Sequence, residues 1–180
     1  FLAYKAAESC AFGDFTRVAG KMPLPPLEVF GYWYTKYQRY TEQDMRDIVH
    51  EIRSRNIPMD ILVIDMDWHR NGKTGETNNT KWTGWSWNRE LFPDPEGFIA
   101  WLHAQHLSTT LNLHPADGVY SKEDHYDELY ADLSKRYSDI TADSLSTADG
   151  TIRWNIENRD FYEAFFQHIL RPHEEIGVDF

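Results

Sequence analysis

The chain is poor in cysteine, in basic charge and in long apolar runs, and each shortage removes a class of protein. Cys10 is the sole cysteine among 180 residues. No internal disulfide and no Cys-based zinc site is then possible, and burial as a small hydrophobe is the role expected of it. Only 18 basic residues stand against 29 acidic ones, a net charge of -11. Such a balance repels polyphosphate and leaves no basic stripe for a nucleic acid to follow, so nucleic acid is excluded as a partner. No apolar stretch approaches the roughly 20 residues that span a bilayer, and no charged leader precedes Phe1, so no membrane partner is expected. The chain opens without methionine. An excerpt of a longer protein is the expectation, and localisation stays open. No Gly-rich dinucleotide fingerprint follows the first predicted strand.

What is present is globular material: 41% hydrophobic and 15% aromatic residues, enough for a real core. The chain centres on Ile57 to His69, IPMDILVIDMDWH. Ile61, Leu62, Val63 and Ile64 form a β-branched and aliphatic run of the kind a strand buried on both faces needs. The run ends in Asp65, Asp67, Trp68 and His69, as though a buried strand delivered carboxylates to the carboxyl edge of a parallel sheet, where ligands bind.

Taken in order, Phe1 to Gly20 shows no strong periodicity, and MPLPP at 22–26 is a rigid connection. Val29 to Tyr37 is rich in aromatic and β-branched types and predicts a first strand. Thr41 with Asp44 is a variant capping box, and Met45, Ile48, Val49 and Ile52 give the following helix one apolar face. Asn56 and Pro58 supply its stop. An Asn, Gly and Thr rich loop at 70–81 contains a lone glycosylation sequon at 78–80. Asp94 and Pro95 then predict a second helix through Phe98, Trp101 and Leu102, and Thr109 to His114 a third strand. Ser121 with Asp124 caps a predicted rim helix running to Tyr137. Ile152, Trp154 and Ile156 alternate in a short extended piece, and Phe161, Phe165 and Ile169 share one more helical face. At GVDF a fourth strand barely starts. Strand and helix alternate, which argues a parallel sheet wound by right-handed crossovers. A closed eight-stranded barrel takes about 250 residues, so the fold expected is α/β, a partial (β/α)8 TIM barrel of three βα units and the start of the fourth strand. It forms one domain over 1–180, with a lead-in segment 1–28 and barrel units 29–180. Unpaired edges at the first strand and the stub predict self-association or marginal stability.

The D-x-D-x-H spacing of Asp65, Asp67 and His69 puts alternate residues on one face, but a metal site needs further ligands, so neither metal nor other cofactor is expected. An Asp at a strand end serves readily as a structural cap, and a lone His such as His114 as a structural group. The company they keep points elsewhere. Tyr37, Trp68, Trp82, Trp85 and Trp87 cluster near the same edge, and flat aromatic faces beside carboxylates suit the C–H faces and hydroxyls of a sugar.

The blocks GYWYTKYQRYTEQD, IPMDILVIDMDWH, GWSWNRELFPDPEGFIAWLHAQ, LNLHPADGV and EEIGVDF resemble, in order, family 31 of the glycoside hydrolases, the α-glucosidase and α-xylosidase group. The resemblance implies the first half of a (β/α)8 barrel with retaining, exo-acting hydrolysis of α-glycosides at its carboxyl face. It matches Asp65 to a carboxylate that hydrogen-bonds the −1 sugar, with Met66 beside it, Tyr37 as an aromatic wall, and Asn112 and His114 ending the third strand. Trp68 and Asp117 are further candidate contacts. Family members follow GVDF with an aromatic run and the Asp nucleophile, and place the acid/base Asp further on. A retaining mechanism needs both carboxyls about 5 to 5.5 Å apart, so these 180 residues are expected to be inactive alone, with no catalytic residue among them. Asp179 lies before the catalytic position. A noncatalytic carbohydrate-binding or interaction domain is the alternative.

Overall fold

A computed structural model describes residues 8–70, 82–136 and 145–180. Three parallel strands form one sheet in the order β1-β2-β3: Trp33–Tyr34, Ile61–Ile64 and Ser108–Leu111. Trp33 pairs with Ile61, and Ile64 with Leu111. Helix α2 (Glu42–Ser54) crosses between β1 and β2, and α3 (Pro95–Ala104) between β2 and β3. An earlier helix, α1 (Glu8–Ala19), occupies a stretch where no periodicity predicted one. The reason is visible in its side chains. Phe12, Phe15 and Val18 are all exposed, so among its described side chains the helix buries no apolar face that a sequence pattern would reveal. The side chain of Cys10 lies outside the described residues, as do the sequon at 78–80 and Tyr137.

The two crossover helices begin and end as their sequences dictate. Thr41 Oγ1 accepts the Asp44 N–H while the Asp44 carboxylate accepts the Thr41 N–H, a complete capping box. At the other end Asn56 takes φ 56°, the Ile57 N–H bonds Ile52 C=O and the Asn56 N–H bonds Arg53 C=O. This is a Schellman motif. Helix α3 repeats it at His106 (φ 58°), with Leu107 bonded to Leu102 and His106 to His103. Asp94 caps α3 through the Gly97 N–H, and Pro95 follows at its first turn.

Each of these stops launches a strand into the core. Leu62 and Ile64 pack with Met45, Val49, Phe98, Ile99 and Leu102 in one apolar cluster between sheet and helices. Ile61 and Val63 occupy the opposite, inner face by the two-residue alternation of a strand. A second cluster joins Trp85, Val119, Ile152, Phe161 and Phe165 to α4 (Tyr126–Arg136) through Leu129 and Leu133.

Three expectations are corrected. The first strand spans two ladder residues, because Leu27–Phe30 winds into a 3-10 turn behind Pro26. Helix α4 starts at Tyr126, not Ser121, because residues 121–125 are committed to contacts with the 83–86 loop. The last helical stretch is broken in kind: α5 (Arg159–Phe165) runs into a π-helical turn (Phe166–Leu170) and then α6 (Arg171–Glu175). Pro172 brings no N–H to the α-helical pattern, which accounts for the change of register just before it. The terminal GVDF lies beside β3, with Asp179 N–H on Thr109 C=O and Thr110 Oγ1 on Phe180 C=O, without forming a ladder.

Candidate functional site at the carboxyl edge

Beyond Ile64 the chain leaves the sheet in a tight turn, with the Trp68 N–H near Asp65 C=O at 3.4 Å. Asp67 adopts φ 72° there and is nearly buried. A non-glycine residue in this region is uncommon, and Asp tolerates it better than most. The turn aims the Asp65 carboxylate off the strand end. Its Oδ1 accepts the Met66 N–H at 2.7 Å, and Oδ2 takes no partner among the described residues. The ladder continues one step past β3, the Asn112 N–H bonding Ile64 C=O at 3.1 Å. Asp65 and Asn112 therefore stand at the same level on neighbouring strands.

Two polar atoms at this edge are buried without a hydrogen-bond partner among the described residues: Asn112 Oδ1 and His114 Nδ1. The His114 ring meets Trp82 edge-on at 5.4 Å and His69 at 6.2 Å. Tyr37 is 63% exposed and Asp117 is exposed, while Met66 is buried. The sequence brings Asp65, Met66, Asn112 and His114 to one edge, and leaves Tyr37 and Asp117 out in solvent.

Trp68 is placed differently from expectation. It is completely buried, its indole N–H donates to Asn112 C=O at 2.8 Å, and its ring meets Trp87 and His173 edge-on at 4.9 and 5.3 Å. No face of it is open to a sugar. It fixes the two strand ends relative to each other from beneath. Trp85 and Trp87 are likewise core, leaving Trp82, 43% exposed, as the accessible indole of the group.

The edge rests on a polar network that the sequence did not reveal. Glu123 is buried, its carboxylate accepting from Thr83 Oγ1 and, at 2.5 Å, from Ser86 Oγ. Ser86 Oγ accepts the Asp124 N–H at 2.7 Å, and Arg70 donates to Asp124 Oδ1 and Lys122 C=O. Burial pushes the Glu123 carboxyl above the usual carboxylate range, while the Ser86 and Thr83 hydroxyls, the Trp85 N–H and Arg70 pull it back. His173 is the second hidden group. Burial draws its imidazole down to about 4, so near neutral pH it is uncharged and its Nε2–H donates to Trp85 C=O at 3.0 Å. Nothing in SKEDH or RPHEE distinguishes these two residues from surface charges.

His69 packs against Gly84, where an added Cβ would lie 2.6 Å from the imidazole, and Gly84 itself holds φ +66°. Asp65, Asp67 and His69 join no group of three metal-capable side chains among the described residues. Asp179 is structural here: its Oδ2 accepts the Thr109 N–H at 2.8 Å and meets His103 Nε2 at 3.0 Å. No helix among the described residues is long and apolar enough to cross a membrane.

A three-stranded parallel sheet, helical crossovers between its strands and a polar carboxyl edge fit a partial (β/α) barrel. Sequence comparison sharpens the class. The chain belongs to glycoside hydrolase family 31, since residues 22–179 match the description "Glycosyl hydrolases family 31 TIM-barrel domain". It is 26% identical over 166 residues to an alpha-xylosidase of Saccharolobus solfataricus, covering 92% of this chain and 19% of that protein. An alpha-glucosidase 2 of Bacillus thermoamyloliquefaciens is 34% identical over 55 residues, 31% of this chain and 7% of that one. Among solved structures, a GH31 alpha-xylosidase from Xanthomonas citri superposes with a TM-score of 0.68 at 19% identity, over 94% of this chain and 18% of that one. A GH31 dextranase from Flavobacterium johnsoniae, complexed with glucose, gives 0.63 at 17% identity, over 92% and 19%. The chain spans less than a fifth of the length of these curated relatives.

Proposed function

We propose that the edge formed by Asp65, Met66, Asn112 and His114 holds the −1 sugar ring of a retaining, exo-acting α-glycosidase of α-glucosidase or α-xylosidase type. The observation that carries this reading is the pair of buried polar atoms without a hydrogen-bond partner among the described residues, Asn112 Oδ1 and His114 Nδ1, beside the Asp65 carboxylate. Buried polar groups left unsatisfied cost about 1 to 3 kcal/mol each. Ring hydroxyls donate to Asn112 Oδ1 and Asp65 Oδ2 and pair with His114 Nδ1 as donor or acceptor, which removes that cost on binding. Tyr37 and Asp117, both exposed, stand as outer contacts for a larger substrate. Trp68 contributes by holding Asn112, not by touching sugar.

The unit count proposed is three βα units followed by the start of a fourth strand, within a single domain of 1–180 whose residues 29–180 make up the barrel part. The nucleophile and acid/base belong to a part of the barrel not contained in this chain, so the 180 residues bind and do not hydrolyse. The outer edge of β1 and the stub beside β3 offer unpaired backbone, and pairing between copies is the outcome expected of the chain on its own.

Asp65→Ala, made in an intact enzyme that includes this chain, tests the assignment. Loss of a charge-assisted hydrogen bond, about 1.5 to 3 kcal/mol, lowers kcat/KM roughly 10- to 150-fold on an aryl α-glucoside or α-xyloside. Unchanged kinetics would refute it.

A further inference from the structure

His114 has two ring neighbours, Trp82 edge-on at 5.4 Å and His69 at 6.2 Å. His69 is fully buried and lies so close to Gly84 that a Cβ there would come within 2.6 Å of the imidazole. The placement of both neighbours therefore depends on the tripeptide 82–84. Glu123 grips that tripeptide from another segment of the chain. Its carboxyl accepts from Thr83 Oγ1, from the Trp85 N–H and, at 2.5 Å, from Ser86 Oγ. The donors flank Gly84 in sequence, and Gly84 holds φ +66°, which lets so short a stretch turn three of them onto one group.

Burying a carboxyl is expensive, and an apolar side chain of similar volume would join the two segments at no greater cost. What the carboxyl adds is direction, since each oxygen fixes its donors at a set distance and angle. A second clasp makes this grip separable from folding. The Arg70 N–H donates to Ser86 C=O at 2.9 Å and its guanidinium to Lys122 C=O and Asp124 Oδ1, while the Trp85 indole donates to Gly118 C=O at 2.8 Å. These bonds tie 85–86 to 118–124 without Glu123, so loss of its carboxyl releases the 82–84 end first. We infer that Glu123 is a positioning residue for the carboxyl edge: it sets the His114 ring by fixing Thr83 and Gly84, and through them Trp82 and His69. At 5% exposure, with both oxygens engaged, it touches no substrate itself. The inference rests on the reading of His114 as a sugar contact.

The test is a double-mutant cycle in an intact enzyme that includes this chain. kcat and KM are measured on an aryl α-glucoside or α-xyloside for the natural sequence, Glu123→Gln, His114→Ala and the two together. Glu123→Gln keeps one acceptor oxygen and puts a donor in place of the other, so it breaks one hydroxyl contact at nearly constant shape. It is expected to raise KM about three- to tenfold and to move kcat by less than about twofold, because ring placement serves binding in the ground and transition states alike. In the His114→Ala background the same substitution adds less than about twofold, since the group it positions is gone. A merely structural role gives the other pattern: fewer folded molecules lower the apparent kcat, KM stays, and the two substitutions combine independently. That pattern, or an unchanged KM in Glu123→Gln, overturns the positioning role, and where His114→Ala alone raises KM it spares the reading of the edge. His114→Ala kinetics equal to those of the natural enzyme overturn both. Thr83→Val removes the hydroxyl and keeps the branched shape, so the cycle also runs if Glu123→Gln fails to fold. Thr83→Val is expected to raise KM in the same way, and a cycle in which it acts independently of His114 counts against the inference.

Discussion

His173 sits with its ring edge-on to Trp68 and Trp87 and its Nε2–H on Trp85 C=O, so its charge state governs how firmly the aromatic floor of the edge is held. Its folded pKa is about 4, against an ordinary 6.5. Above pH 6.5 the imidazole is neutral in both folded and unfolded chains and costs nothing. Between pH 6.5 and 4 the unfolded chain takes up a proton that the folded chain refuses, so stability falls across that window, by on the order of 3 kcal/mol. Glu123 acts in the opposite sense. Its raised folded pKa means that acid relieves a cost of burial, and stability is regained as pH falls through that value toward the ordinary range. Urea titrations at pH 7 and pH 4.5 on the natural sequence, His173→Gln and Glu123→Gln separate the two. The first variant flattens the acid loss, and the second steepens it. At Gly84 the constraint is steric. Gly84→Ala meets the His69 ring at 2.6 Å in a left-handed conformation, and a loss of more than about 1 kcal/mol in urea unfolding is expected.

At the level of elements, legibility followed locality. The capping box of Thr41 and Asp44, the Asp94 cap with Pro95, and the β2 run were all readable because each depends on residues within a few positions of one another. The start of α4 was not readable, because Ser121 and Asp124 have the same capping spacing in sequence as Thr41 and Asp44. Contacts with Ser86 and Arg70, more than thirty positions away, claim that turn for something else. Glu123 and His173 were invisible for the same reason. Their burial comes from partners at Thr83, Ser86 and Trp85, and a charged residue in a polar stretch carries no mark of it. Of the edge, Asp65, Asn112 and His114 were legible because a strand end delivers them, whereas the buried position of Trp68 was not. The twin Schellman motifs make a further prediction. His106→Gly relieves the left-handed conformation at φ 58° and raises stability by a few tenths to about 1 kcal/mol, and His106→Val lowers it, both measured by thermal melting.

The molecule as a whole is a sheet with two edges and one polar rim. Only one side of β1 carries a partner strand among the described residues, and the GVDF stub lies beside β3 without a ladder. Sedimentation velocity over a tenfold concentration range checks the proposed pairing of copies. A concentration-dependent shift toward dimers is the expected outcome, and a sharp monomer peak throughout would count against it. The family assignment fits this geometry, since a polar carboxyl rim is common to barrel enzymes that otherwise differ in their loops.

The bond from the Trp68 indole to Asn112 C=O joins two points 44 residues apart in sequence. With that bolt in place, the spacing between Asp65 and Asn112 does not depend on how the intervening crossover is routed. Length in that crossover becomes a free variable, because each doubling of a flexible loop costs only about 0.6 kcal/mol. Insertions there can reshape the approach to the rim while Asp65 and Asn112 stay where they are.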